Sequence, residues 1–245
     1  MIQQNAERRG YALVIVAKYP RPGHVKTRLG ASIGFEQSAR LYSAFLHDLV
    51  GRFTTASAHG GYDLIWACAD DPALMTPILG HGKRMMRQRG EDLAERLYAI
   101  CCDTAALGYE RTIILGSDSP HAPAAAVTDA LALLESADVA LGPAEDGGYY
   151  LVGVRNQPTP PDIFTGVTMS TSAVLAETVE RVAALGLSAQ FIKTTFDVDT
   201  EADMIRLAHL LDASPTLAPH THELLRELAA TSVKAGAEGG GNGAG

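Results

Sequence analysis

Short runs of apolar, β-branched and aromatic residues alternate along this chain with longer stretches that repeat every three or four positions. The short runs, at 11–17, 63–69, 111–115, 139–142, 149–154 and 190–194, predict strands. Helical spacing at 36–53, 92–107, 124–135, 171–185 and 202–211 predicts helices, and a further one is expected over 221–230. Strands alternating with helices imply βαβ units, hence an α/β fold: a twisted, mostly parallel sheet flanked by helices in three layers. One junction breaks the pattern. Runs 139–142 and 149–154 are joined by too few residues for a crossover helix, so an antiparallel or bent element is expected there. With no internal repeat and no interdomain linker, residues 11–235 read as one domain. Residues 1–10 form an N-terminal extension, and 236–245 read as a flexible Gly-rich tail.

Composition narrows the class. The chain has 245 residues, 47% of them hydrophobic, enough to bury a full core and to exclude global disorder. A net charge of −8 argues against nucleic acid or an anionic membrane as the main partner. No run reaches membrane-spanning length, and residues 1–10 hold no apolar signal segment. Three cysteines, Cys68, Cys101 and Cys102, lack metal-ligand spacing and fit a reducing compartment. The expectation is a cytoplasmic protein with small-molecule partners. Nucleophile-elbow, Walker and Gly-x-Gly-x-x-Gly patterns are absent, as is a His or Cys set suited to zinc.

Against that acidic background, positive charge is concentrated in one place. The run 11–17 leads directly into a Pro/Gly segment carrying Lys18, Arg21, Lys26 and Arg28. Loops at the carboxyl ends of parallel strands are where open α/β sheets bind ligands. Cations there suit phosphate, which accepts several charge-assisted hydrogen bonds; a solvated basic loop is the alternative.

Three acidic motifs follow. In Gly116-Ser117-Asp118-Ser119-Pro120 a buried strand ends in a small-residue turn that presents one carboxylate. Such a group can hold Mg²⁺ or Mn²⁺, or close an Asx-turn on its own backbone. In Glu145-Asp146-Gly147-Gly148-Tyr149-Tyr150 two carboxylates precede a Gly-Gly pair that allows close backbone approach to a ligand. The two tyrosine rings should point to opposite faces of the strand, one of them lining the site. In Asp197-Val198-Asp199-Thr200-Glu201-Ala202-Asp203, Thr200 and Asp203 fit a capping box. Asp197 and Asp199 are left over, two apart and suited to a second metal ligand.

Together these segments resemble the DUF2064 family of the GT-A, or nucleotide-diphospho-sugar transferase, superfamily; the likeness spans residues 11–211. The resemblance implies a glycosyltransferase using a nucleotide-sugar donor, a small-molecule acceptor and Mg²⁺ or Mn²⁺. It implies phosphate contacts from Lys18, Lys26 and Arg28 and metal ligation by Asp118 and Asp197. Glu145 or Asp146 would orient or deprotonate the acceptor, with Gly147, Gly148 and Tyr149 lining its site. Two positions depart from the family pattern, His121 and Met169, both in regions expected to face the acceptor. Two other readings remain. Four cations in the first loop suit a triphosphate, which favours nucleotidylyl transfer from an NTP to a phosphorylated small molecule. The last is a catalytically silent nucleotide-binding protein on the same fold.

Overall fold

A computed structural model describes residues 9–156 and 159–239. In chain order the elements are β1 (Arg9–Ala17), α1 (Thr27–Ile33), α2 (Phe35–Gly60), β2 (Tyr62–Cys68), α3 (Pro72–Leu79), β3 (Arg84–Arg87), α4 (Leu93–Ala106) and β4 (Tyr109–Leu115). They continue as α5 (Ala125–Leu133), β5 (Val139–Pro143), β6 (Tyr149–Arg155), α6 (Val174–Ala184), β7 (Ala189–Phe191), α7 (Glu201–Ala213) and α8 (Pro219–Gly239).

The strands form one seven-stranded sheet in the order β3-β2-β1-β4-β6-β5-β7. β1 lies parallel to β2 and β4, and β2 parallel to β3. β6 runs antiparallel to both β4 and β5, as the short 144–148 connection requires. A register shift at Gly142/Pro143 bends the end of that hairpin, and β7 joins β5 in parallel.

β1 is apolar on both faces because both are covered. Leu13, Ile15 and Ala17 pack on one side against Tyr42, Phe45 and Leu49 of α2, with α1, α3, α5, α7 and α8 completing that layer. Ala12 and Val14 face the other side, where α4 and α6 supply Leu97, Ile100 and Val182. The layer over α2 is anchored by Asp48, whose buried carboxylate accepts the His220 and Thr221 N–H groups and the Thr221 hydroxyl at the start of α8. This carboxylate caps the helix from another element.

The sequence pattern missed β3, α1 and α3. β3 is a four-residue edge strand, Arg-Met-Met-Arg, too short and too polar to stand out. α1 begins inside the basic segment at Lys26, which takes a left-handed conformation and supplies no side-chain cap. α3 does carry start signals, an Asp71 cap and Pro72 at the first position, but Pro77 obscures its period. α8 runs on to Gly239, into the stretch that composition assigns to a flexible tail. No helix among the described residues is long and apolar enough to cross a membrane.

One glycine fixes how the sheet edge is dressed. Gly147 has φ +92° in the β5–β6 turn, and a Cβ there would come 2.2 Å from the Ser172 carbonyl oxygen. The Gly147 carbonyl in turn accepts the Leu175 N–H, 2.9 Å. Gly166 has a comparable φ of +85° but nothing within 4 Å. Alanine at either position should cost about 1–2 kcal/mol for the left-handed backbone. At Gly147 the steric conflict adds about 1–3 kcal/mol. Urea unfolding of Gly147→Ala and Gly166→Ala checks this; equal losses would show that the close approach is not constraining.

Candidate active site

The chain leaves β1 for β2 on one side, then crosses back to add β4 on the other. The carboxyl ends of β1 and β4 therefore flank a point where strand order reverses, the usual ligand crevice of an open α/β sheet. The segment after β1 is tied to both neighbours there. The Lys18 N–H donates to the Tyr42 hydroxyl (3.2 Å), which is 2.7 Å from Ser117 Oγ beyond β4. The Tyr19 N–H donates to Asp70 after β2 (2.8 Å). Burial, and then the Asp118 charge, push the Tyr42 phenol up to about 12, so it stays neutral.

Lys26 is the centre of the arrangement. Its ammonium lies 2.5 Å from Asp118 Oδ1 and 2.9 Å from Asp199 Oδ1. Only 3% of the lysine side chain is exposed, against 50% for Asp118 and 40% for Asp199, so the cation sits beneath its carboxylates. Burial alone would lower its pKa, but the two aspartates reverse this and hold it above the ordinary lysine value.

Asp197 completes the group. The Ser119 hydroxyl donates to its carboxylate and to the Phe196 carbonyl (2.9 Å), and the Val198 N–H donates to the Asp118 carbonyl (3.1 Å). These bonds lay segment 196–199 along the turn after β4. Burial is the largest cause that raises the Asp197 carboxyl to about 6; Asp118 and Asp146 add to it, while the Ser119 bond and Lys26 oppose it. A desolvated carboxylate beside two others is short of positive charge. Among the described residues no three His, Cys, Asp or Glu side chains form a ready-made metal cage. Asp118 and Asp197 nonetheless suit Mg²⁺ or Mn²⁺, since hard ions at phosphate sites are often held by one or two carboxylates plus the substrate's own oxygens.

The remaining expected residues are distributed around this centre. Lys18 is exposed and lines a pocket of about 200 Å³ with Tyr19, Arg21, His24, Val25, Ala69 and Asp70. Arg28 lies exposed in the first turn of α1, where its charge helps lower the Asp203 carboxyl. The cations of the first loop thus diverge instead of forming one cluster. A larger open hollow of about 420 Å³, bordered by Pro215, Pro219 and Arg226, shares no lining residue with this region.

Glu145 is engaged by Arg206, which donates to both its oxygens at 2.6 and 2.8 Å and keeps its carboxyl below the usual range. The same guanidinium lies 3.9 Å from the centroid of the Phe196 ring, which stacks at 4.1 Å on His121. Asp146 accepts the Gly148 N–H (2.9 Å) in an Asx-turn. Gly147 and Gly148 make room for the Ser172 backbone and the Asp146 side chain. The two tyrosines do take opposite faces: Tyr150 packs with the α2 layer and bonds the Lys193 carbonyl (3.1 Å). Tyr149 packs in the α4–α6 layer, where burial raises its phenol to about 12. Thr200 and Asp203 form the expected capping box. Arg206, Tyr42 and Asp70 carry no local sequence signal, because each acts on a segment distant in the chain.

Two comparisons place this geometry. A family profile described as an uncharacterized protein conserved in bacteria (DUF2064) matches residues 52–171. A structure from Desulfovibrio desulfuricans G20, provisionally named a nucleotide-diphospho-sugar transferase, is 35% identical with TM-score 0.82, covering 90% of this chain and 95% of that one. The 4-diphosphocytidyl-2C-methyl-D-erythritol synthase of Anaerococcus prevotii DSM 20548 is 11% identical, TM-score 0.52, over 83% of this chain and 99% of its own. The bifunctional IspDF of Campylobacter jejuni is 10% identical, TM-score 0.52, over 80% of this chain and 54% of its own. The last two show the shared fold alone. No curated protein matches. Sheet order and similarity together define the nucleotide-diphospho-sugar transferase fold. Within it, the chain belongs to the DUF2064 family.

Two titrating groups on neighbouring segments oppose each other. Asp197 is raised from 3.8 to about 6, so between those values the native state holds more protons and stability falls as pH rises. His121 is lowered from 6.5 to about 4, by burial first and then by Arg52 and Arg206. Over that window the unfolded state holds more protons, and stability falls as pH drops. The two slopes largely cancel in the native protein. In Asp197→Asn the opposing carboxyl slope is gone while that of His121, and that of His47, which burial also lowers, remain, so acidification from pH 6.5 to 4 should lower stability, His121 alone accounting for up to about 3 kcal/mol at about 1.4 kcal/mol per unit. Urea titrations across that range measure it, and a flat profile in the variant would contradict it.

Proposed function

We propose that this protein is a metal-dependent glycosyltransferase that moves a sugar from a nucleotide-sugar donor to a small-molecule acceptor. The observation that carries the reading is the convergence of Lys26, Asp118, Asp197 and Asp199 at the strand-order reversal between β1 and β4. Its 35%-identical relative carries a name of the same class, which adds support.

In this reading Asp118 and Asp197 hold Mg²⁺ or Mn²⁺, and the ion supplies charge neutralisation for a diphosphate leaving group. Lys18, Lys26 and Arg28 hold donor phosphates, with the pocket beside Lys18 receiving part of the nucleotide. The acceptor hydroxyl oxygen bonds to the anomeric carbon, the bond from that carbon to the phosphate oxygen breaks, and the nucleoside diphosphate leaves with the electron pair. The acceptor proton passes to Asp146. Of the two carboxylates considered for this role, Glu145 is occupied by Arg206 and held low, so it suits orientation better than proton transfer. Gly147, Gly148 and Tyr149 serve by setting the turn that carries Asp146.

A second reading is nucleotidylyl transfer from an NTP to a phosphorylated small molecule. One observation favours it: Lys18 and Arg21 of the first loop line the same pocket, two cations that suit a highly charged triphosphate.

Thermal unfolding with nucleotide-sugars and NTPs, each with and without Mg²⁺ or Mn²⁺, separates these readings. One nucleotide-sugar should stabilise the protein only with metal, by about 2.7 kcal/mol at a hundred times its Kd. Asp118→Asn should abolish that response and lower turnover by about 10²-fold or more, since the ion's charge stabilisation is worth several kcal/mol. Stabilisation by a triphosphate alone would transfer the assignment to nucleotidylyl transfer. Nucleotide binding unchanged in Asp118→Asn, with no transfer activity to lose, would indicate a silent binding protein.

A further inference from the structure

Lys26 occupies the place where positive charge is needed most, and it reaches that place at a cost. Its backbone sits at φ 46°, ψ 45°, a left-handed conformation that a non-glycine residue adopts only when its surroundings demand it. Its side chain is buried, and its ammonium lies over the Phe45 ring, 5.9 Å from the centroid, and bridges carboxylates from two distant segments. Asp118 belongs to the turn after β4, and Asp199 to the segment that leads into α7.

A divalent ion on Asp118 would compete directly with this ammonium. Lys26 is 2.5 Å from Asp118 Oδ1, a full charge-assisted bond, and an ion bound to the same half-exposed carboxylate would stand beside a like charge. Moving off Asp118 relieves that repulsion. The buried ammonium would then keep Asp199 alone, so more of its desolvation cost would go unopposed. Lysine is a point charge on a flexible four-carbon stem, so a short swing to another anion is open to it. The anion that arrives with the metal in this site is phosphate.

We propose that Lys26 is a resident counter-ion of Asp118, drawn off it by the donor's phosphates, so that divalent cation and diphosphate load together. This rests on the reading of Asp118 and Asp197 as the cation site. Each ligand then raises the affinity of the other by the same factor, because linkage between binding equilibria is reciprocal. In the free protein the metal alone binds weakly, and Asp118 and Asp199 are kept from repelling one another by a charge that belongs to the chain.

The test is Mn²⁺ binding to the full chain, read from the free-ion electron paramagnetic resonance signal, with inorganic pyrophosphate as the diphosphate probe. Without pyrophosphate, Lys26→Met should bind Mn²⁺ about tenfold or more tightly than the native protein, within the usual range of site-to-site coupling. Pyrophosphate should tighten Mn²⁺ binding in the native protein and do so far less in Lys26→Met. Equal or weaker Mn²⁺ binding by Lys26→Met, with binding abolished in Asp118→Asn, would overturn the counter-ion role while leaving the cation site standing. No Mn²⁺ binding by any of the three proteins, with or without pyrophosphate, would remove the cation site and the proposal with it. Should Lys26→Met fail to fold, nuclear magnetic resonance of ¹⁵N-lysine in the native protein gives the same answer. A slowly exchanging Lys26 ammonium signal should shift when Mg²⁺ and pyrophosphate are added together. An unmoved signal under conditions where Mn²⁺ and pyrophosphate are bound would overturn it.

Discussion

Strand order governs this molecule more than any single contact. With β2 on one side of β1 and β4 on the other, the connections that follow β1 and β4 depart to opposite sides and leave a crevice between them. Lys26, Asp118, Asp197 and Asp199 meet at that opening. The helices have no such freedom, because β1 and β4 are apolar on both faces and must be covered on both. The carboxyl ends of these strands are the remaining place where charged side chains can gather without opening the core.

What gathers there is an excess of negative charge around one buried positive charge. Asp118 and Asp199 hold Lys26, Asp197 feels the charge of both Asp118 and Lys26, and hydrogen bonds from Ser119 and Val198 fix the segments that carry Asp197 and Asp118. A paired buried charge is tolerable, whereas an unpaired one is costly, so the lysine and its aspartates specify each other. Burial, more than any neighbouring charge, raises the Asp197 carboxyl.

A second set of contacts holds the rim. Arg206 grips Glu145 on one side and lies over Phe196 on the other, and Phe196 rests on His121. This stack joins α7, the β5–β6 turn, the 196–199 segment and the turn after β4. It explains why Glu145 behaves as a structural anion although its neighbour Asp146 remains exposed beside the acidic centre. His121, one of the two positions that depart from the family pattern, is accounted for by packing against Phe196 and a 3.0 Å contact to Thr195.

The alternation of apolar runs and helical periods determined the layered α/β class, six of the seven strand positions and the antiparallel hairpin, because those depend on local pattern and on connection length. The capping box at Thr200 and Asp203 was equally legible, since both partners lie within one turn. β3, α1 and α3 were hidden by shortness, by a left-handed Lys26 and by an internal proline. In the site, the sequence marked Asp118, Asp197 and Lys26 as charged residues at strand ends but could not pair them. Lys26 and Asp199 are 173 positions apart, and Arg206 meets Glu145 across 61. Only tertiary structure decides such pairs, because an ion pair needs a few ångströms of approach and distance in space is set by strand order. Local chemistry thus supplied the donors and acceptors, and the fold chose which of them meet.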